Sequence, residues 1–430
     1  MLRGPWYGRA LIVAGLVCAL LPALAMRGFT VDDALISLRY ASHPWRFNVH
    51  GPVTDGVTPL PWVPLLALFT GDDLLVALGC AQALGIAAWA AAGAVLGRSL
   101  RQAPPLAALG GLATVALAFP IGAWAASGME TGLVLALATV AACDRSPRGA
   151  AWAGLAAAFR PELVVWAAVA SARRERLAMR MLLAVGPFVL VVAIRLAVFH
   201  APAPLAVSAK PSDLEHGLVY AGAASLVLLT PILALHPGAL RQPLALAALA
   251  HLVVVIAVGG DWMPYARLVV PIAPGLVLVL AETASSRRAV ALRLAVAFAL
   301  GLLFLRAAPA GRHVVEDRRS LVIAARPHLA NARRVAALDI GWLGAATDAD
   351  IVDLAGLTDP AFAYLPGGHT SKRVDTSMLL DRDVDTVVVY APLRAVEARL
   401  VRSELFVERY EPFATAPLGA HGLYTFYRRR

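Results

Sequence analysis

Two adjacent carboxylates, Asp32 and Asp33, stand a few residues past an apolar run, in the stretch MRGFTVDDALISLRYASHPW (26–45). In a close pair of acids one pKa can be raised, which suits a general base. A charge near hydrocarbon is costly and is usually tied to function when it faces a cavity. The plain alternative is a pair of solvated loop acids. Glu130, in ASGMETGL (126–133), sits where a helix begins, so it reads either as a site acid or as a partner of the helix dipole. Arg160 and Glu162 flank Pro161 at the centre of an apolar stretch. They either pair with each other or present Arg160 as a phosphate ligand. The stretch VGGDWMPYARLVV (258–270) adds Asp261 and Arg267, with Trp262 and Tyr265 able to stack on a sugar or to lie in an interfacial aromatic belt.

These groups must be positioned by a membrane protein. Of the 430 residues 59% are hydrophobic and 15% charged, against about 25% charged in ordinary globular chains. Apolar runs approaching the ~20 residues that a span needs recur over the first three quarters. Spans fit at 9–26, 73–97, 104–124, 129–143, 181–199, 217–235, 243–258, 267–283 and 289–306. The segment 150–171 reads as two half-length helices in a hairpin broken at Arg160-Pro161-Glu162, which keeps ARRERLAMR (172–180) on the cytoplasmic side. TPLPWVPLLALF (58–69) is too short and proline-rich for a span and is expected to dip into the outer interface. Arg3 and Arg9 precede a first apolar run ending in Ala23-Leu24-Ala25, a signal-peptidase-like site; an uncleaved first span is the preferred reading.

The net charge of +10 does not indicate nucleic acid, because the excess sits in short loops between spans and sets orientation. With those loops inside, the acids Asp32, Asp33, Asp55, Asp72, Asp73, Glu130, Glu162, Asp213, Glu215 and Asp261 map to the outer side or near it. Arg195, near the outer end of its span, is expected to snorkel. Cys18, Cys80 and Cys143 have no paired spacing, and the scattered histidines give no metal motif. There is no P-loop, no HExxH and no GxSxG elbow.

Beyond about residue 308 the composition changes: the last 122 residues carry 15 of the 28 acidic residues. Strand-like runs appear at 333–340, 350–354 and 384–392, separated by turn residues such as LPGG (365–368). The expected organisation is therefore an all-α polytopic domain over 1–308, with a first outer loop at 27–57, followed by a small extracytoplasmic α/β domain over 309–430. The helical part would hold about 10–12 transmembrane or half-membrane helices.

Several segments resemble one family in the right order along residues 32–360. DDALISLRYA followed by FNVHGPVTDGVTPLPWVPLLAL is similar to the first outer loop of GT-C glycosyltransferases. SGMET, AFRPE and GGDWMPYAR resemble their SGLET, TRPE and GGDWMxxR stretches. DIGWLGAATDADIVDLAGLTDP (339–360) resembles their carboxy-terminal DxGxxG…DxxGLxD segment. The nearest likeness is to the terminal arabinofuranosyltransferases of cell-wall arabinan. Thr54-Asp55-Gly56-Val57 stand where the family has VEGY, so Asp55 takes the acidic role shifted by one position, or the acceptor differs.

The resemblance implies a multi-pass enzyme of the bacterial plasma membrane with its active site and carboxy-terminal domain on the outer face. It would move a sugar, a pentose among the candidates, from a polyprenyl-phosphate donor to an envelope glycan, lipid or protein acceptor, with inversion. Asp32 is then the expected base, with Asp33 orienting it or, with Asp32, holding a divalent metal (Mg, Mn or Ca). Arg160 is first and Arg267 second as ligand of the leaving phosphate. Glu130, Glu162, Asp261, Asp55 and Trp262 complete the candidate set. A transporter or flippase of lipid-linked sugars is the alternative, because it too needs polar groups between helices.

Overall fold

The structure, a computed structural model, describes residues 5–71, 73–420 and 422–430; Arg3 and Asp72, used in the charge reading above, lie outside the described residues. The chain is mostly helical, at 63%, with a small carboxy-terminal mixed sheet. Among the described residues four helices are long and apolar enough to cross a membrane: Trp6–Ala25, Leu74–Leu100, Leu177–Phe199 and Arg287–Arg306. Only 17% to 33% of each apolar window is buried, so most of that surface is left for a nonpolar surround. The expected span at 104–124 is two helices, Pro105–Ala116 and Phe119–Ala125, bent by 58°. Pro120, which has no backbone N–H to donate, sits at the start of the second piece. The expected span at 217–235 is also interrupted. Its main helix ends at Val227, and Leu229 then takes a left-handed φ of 54° before the chain resumes at Thr230–Ala234.

By contacts the chain separates into two compact units. The first comprises Met1–Thr30, Cys80–Val191 and Ser212–Arg312. Its helices approach closely where side chains are smallest: a Cβ on Gly15 would lie 2.2 Å from the Gly93 carbonyl oxygen. Nearby, Trp89 donates its indole N–H to the Ala19 carbonyl at 3.0 Å. The helices Pro147–Phe159 and Val164–Ser171 pack against each other across the turn at Arg160 and Pro161. Pro243–Ala257 lies along the second of them.

The second unit comprises Val31–Gly79, Val192–Pro211 and His313–Arg430. The compositional change near 308 thus falls close to a unit boundary, and the unit also draws in the segment that begins at the paired acids. Its sheet contains β1 (Arg334–Ala337), β2 (Asp350–Asp353), β3 (Thr386–Ala391), β4 (Tyr410–Leu418) and β5 (Gly422–Arg429), in the order β2-β1-β3-β5-β4. The first three strands are parallel, with Val335 opposite Ile351 and Thr386; β5 runs antiparallel to β3 and β4. The run Val387-Val388-Val389 is buried throughout, as a central strand requires. The β4–β5 hairpin was not among the expected strands. β4 carries Pro412 and Pro417 and a bulge between Pro412 and Ala414, which only an edge strand tolerates. TPLPWVPLLALF forms the short helix Trp62–Leu66, packed on the Asp32–Ser42 helix with Trp62 and Leu66 fully buried.

Candidate functional site

Asp32 and Asp33 form the first turn of the Asp32–Ser42 helix, where negative charge opposes the helix dipole. Their side chains have different surroundings. Asp32 Oδ1 accepts from Arg318 Nη1 at 2.8 Å and from the Trp342 amide at 3.0 Å, and its Oδ2 accepts from the Gly341 amide at 2.7 Å. The absence of a side chain at Gly341 permits this approach: a Cβ there would lie 2.1 Å from the Asp32 carbonyl oxygen. The carboxylate of Asp33 accepts no hydrogen bond among the described residues and is partly exposed. Of the two, Asp33 is therefore the carboxylate left without a hydrogen bond, though its charge still acts on Arg318.

Behind Asp32 stands a second acid. Asp339 accepts from Arg394 Nη1 at 2.8 Å and from the Tyr424 hydroxyl at 2.6 Å, while Arg394 also grips Glu397. Burial pushes the Asp32 carboxyl up, against Arg318 and the two amide donors, and the charge of Asp339 adds to the rise. For Asp339 burial acts upward too, but Arg394, Tyr424 and Arg318 outweigh it and hold the carboxyl below its usual range. Asp32 is thus a fixed acid inside a network of partners.

The rest of the segment is clamped to the sheet. Arg39 donates to the carbonyls of Phe47 (2.9 Å), Gly344 (2.8 Å), Thr347 (2.8 Å) and Ala349 (3.1 Å). The Asn48 amide exchanges two hydrogen bonds of 2.9 Å with the backbone of Ile351, pairing with the open edge of β2. Asp55 is buried and accepts from Arg195 Nε at 2.7 Å, and Arg195 also donates to the Val57 and Thr58 carbonyls. Arg195 is only 2% exposed, so it does not snorkel. A buried acid 140 positions away holds it instead.

In the first unit Arg160 is 4% exposed. Its Nε lies 2.5 Å from Glu130 Oε1, Nη1 lies 3.3 Å from Glu162 and Nη2 donates to Thr131 Oγ1 at 3.1 Å. Glu130 is fully buried; its contact with Arg160 is out of hydrogen-bond alignment and its Oε2 has no hydrogen-bond partner. Two carboxylates thus surround one guanidinium. His251 bonds to the carbonyls of Glu162 (3.1 Å) and Leu268 (2.8 Å), tying this turn to the 258–270 segment. In that segment Arg267 pairs with Asp261 at 2.6 Å and lies over the Trp124 ring at 5.6 Å. Gly259 and Gly260, at φ of +86° and +71°, make the turn. Trp262 is 67% exposed and stacks on His216 with 3.9 Å between ring centres.

The fold therefore joins the candidates in two groups: Asp32, Asp33 and Asp55 in the second unit, and Glu130, Arg160, Glu162, Asp261, Trp262 and Arg267 in the first. Sequence reasoning missed Arg318, Arg394 and Tyr424, which have no local motif. Asp339 and Gly341 did carry one, the DxG of the 339–344 segment. A divalent metal does not fit the pair. Three donors already occupy both oxygens of Asp32, one of them a guanidinium, and the described residues hold no group of three or more His, Cys, Asp or Glu side chains placed for a metal.

A family model described as "Domain of unknown function (DUF8728)" matches residues 312–427, less than a third of the chain. No curated protein and no solved structure matches the chain.

Proposed function

We propose that the chain is an integral-membrane glycosyltransferase of GT-C type that uses a polyprenyl-phosphate sugar at the outer face of a bacterial plasma membrane. One observation carries the reading. In each unit the fold brings together segments that the family resemblance selects from distant parts of the sequence. DDALISLRYA, Asn48 and the 339–360 segment interlock through Asp32, Arg39 and Ile351. SGMET, AFRPE and GGDWMPYAR converge through Glu130–Arg160 and His251.

In this reading Asp33 takes the proton of the acceptor hydroxyl while that oxygen attacks the anomeric carbon. The bond from the anomeric carbon to the phosphate oxygen breaks, and polyprenyl phosphate leaves with the electron pair. A single displacement inverts the centre. Asp32 fixes the start of the helix that carries Asp33. Positive charge is needed at the leaving phosphate. Two acids already neutralise Arg160, whereas Arg267 is more exposed, at 12% of its side chain against 4%, and pairs with Asp261. Arg267 is therefore preferred over Arg160 as the phosphate ligand. The aromatic face of Trp262 suits a sugar ring.

The test is release of polyprenyl phosphate by the purified protein, given polyprenyl-phosphate pentoses and hexoses with an envelope extract as acceptor. Turnover that falls with Arg267→Gln supports the reading. Passage of intact donor across a vesicle membrane without cleavage speaks for a transporter instead.

A further inference from the structure

The first unit also holds a cavity of about 460 Å³ at the arginine-rich helix ends, lined by none of the residues assigned above. Three guanidiniums meet there. Arg145 lies in the turn before the Pro147–Phe159 helix, Arg173 in the turn after Val164–Ser171, and Arg180 in the first turn of Leu177–Phe199.

Their states differ. Arg180 is 6% exposed and donates to the carbonyls of Glu175 (3.1 Å), Ser146 (3.3 Å) and Arg145 (3.0 Å). Of the five N–H donors of an arginine, these bonds leave it two. Arg145 pairs with Glu282 at 2.9 Å. Arg173 makes no hydrogen bond and no ion pair among the described residues. Burial first, and then the nearby Arg145 and Arg180, pull its guanidinium below the usual range, with Glu175 acting the other way. The cavity's own acids are Asp144, which caps the Ser146 amide at 2.8 Å, and Glu282. Three cations against two acids leave the lining positive. Gln102 and Gln242 add neutral donors, and Leu278 and Val279 form an apolar wall.

We infer that this cavity binds the phosphate group of an anionic lipid headgroup, with Arg173 as its principal ligand and Arg145 and Arg180 beside it. A phosphate accepts from several N–H groups at once and relieves the crowding of like charges. The apolar wall suits the root of an acyl chain, and basic pockets between helices at a membrane surface are suited to such lipids. A free phosphate ion has the same chemistry, so the test separates the two sources. The inference is independent of the glycosyltransferase reading.

The experiment follows thermal unfolding of the full-length protein in a neutral detergent. It is titrated separately with phosphatidylglycerol, with phosphatidylcholine of the same chains, and with inorganic phosphate. A ligand that binds the folded state raises Tm by mass action. Phosphatidylglycerol is expected to give a saturable rise that phosphatidylcholine does not. Arg173→Gln should weaken it about tenfold, the loss of one charge-assisted hydrogen bond. Arg173 is chosen because Arg180 also ties three carbonyls and its loss would disturb folding. Arg288→Gln, an exposed arginine outside the cavity, should titrate like the native protein. An Arg173-dependent rise with inorganic phosphate alone supports the anion site with a solution source. A lack of saturable response to all three ligands, equal responses to the two lipids, or an unaltered Arg173→Gln titration would overturn the inference.

Discussion

Arg318 places Nη1 2.8 Å from Asp32 Oδ1 across 286 residues of sequence, and the amides of Gly341 and Trp342 complete the hold on that carboxylate. Each donor favours the charged form, yet burial outweighs all three and leaves the Asp32 carboxyl above its usual range, so the bonds fix its position rather than keep it charged. Asp33, one residue on, carries no such bonds. On the proposed reading the two acids have separable roles, one mechanical and one chemical.

Asn substitutions should separate these roles. Asp33→Asn is expected to reduce turnover by ~10²–10⁴-fold, the usual contribution of a general base, and to leave Tm unchanged. Asp32→Asn should lower stability by about 1–3 kcal/mol, the scale of hydrogen bonds lost to charged groups. Thermal melts beside donor-turnover assays read both. An inactive Asp32→Asn with a native melt, beside an active Asp33→Asn, would reverse the assignment.

Gly341→Ala tests the hold on Asp32 without replacing an ionisable group. The added Cβ would lie 2.1 Å from a backbone oxygen, so the helix bearing the acids must shift. A cost of about 1–3 kcal/mol is expected, as for overpacking. Gly344→Ala should be milder, because its new Cβ meets only side-chain atoms, Arg39 Cδ at 2.7 Å, although the clamp that Arg39 forms must then shift slightly. Paired melts check the order. Equal tolerance of both substitutions would mean that the Asp32 contact is loose in solution.

Much of this was legible from local pattern. The strand-like runs at 333–340, 350–354 and 384–392 contain β1, β2 and β3, because a β-branched stretch between turn residues can serve little else. The β4–β5 hairpin was hidden by Pro412 and Pro417, which argue against a strand unless an edge is known to be available. The sites divide in the same way. Asp32, Asp33 and Arg160 announced themselves by charge in an apolar setting. Arg318, Arg394 and Tyr424 sit in ordinary polar sequence and acquire meaning only through packing. Arg195 was misjudged for a related reason, since an arginine near a helix end looks like any snorkelling arginine until its distant partner is seen.

Asp353 gives a pH signature. It is fully buried, and burial pushes its carboxyl up to about 6 despite bonds from the amides of Ala355 and Thr358 and from the Thr358 hydroxyl. A carboxyl whose pKa is raised on folding binds its proton more tightly in the native state. Its stabilising contribution is complete below the unfolded value and is lost as pH climbs through about 6. The loss amounts to no more than about 3 kcal/mol. Melts of Asp353→Asn should therefore show a flatter pH dependence between 3.8, the ordinary value of an aspartate, and about 6 than those of the native protein. Parallel curves would place the titration elsewhere.

The Asp55–Arg195 pair offers the sharpest test of the second unit. Both side chains are buried, at 3% and 2% exposure, and Arg195 also supports the Val57 and Thr58 carbonyls. Asp55→Asn keeps an acceptor beside Arg195 and leaves those two bonds in place. Arg195→Met removes every donor and strands a buried acid, a change that costs about 3–5 kcal/mol. The methionine variant should thus be the less stable of the two. Its deficit should also depend on pH. Burial already pushes the Asp55 carboxyl up, and Arg195 is the main influence pulling it back. Without Arg195 the acid protonates more readily, and a neutral carboxyl is cheaper to bury. A raised folded pKa contributes stability at low pH and loses it as pH rises. The Tm difference between native protein and Arg195→Met should therefore be smaller at about pH 5 than at about pH 8. Adding Asp55→Asn to Arg195→Met removes the stranded charge, so the double variant should recover stability at the higher pH and lose the pH dependence. A double variant as unstable as the sum of its parts at both pH values would show that the two residues act independently, and the buried pair would then not be what holds this segment in place.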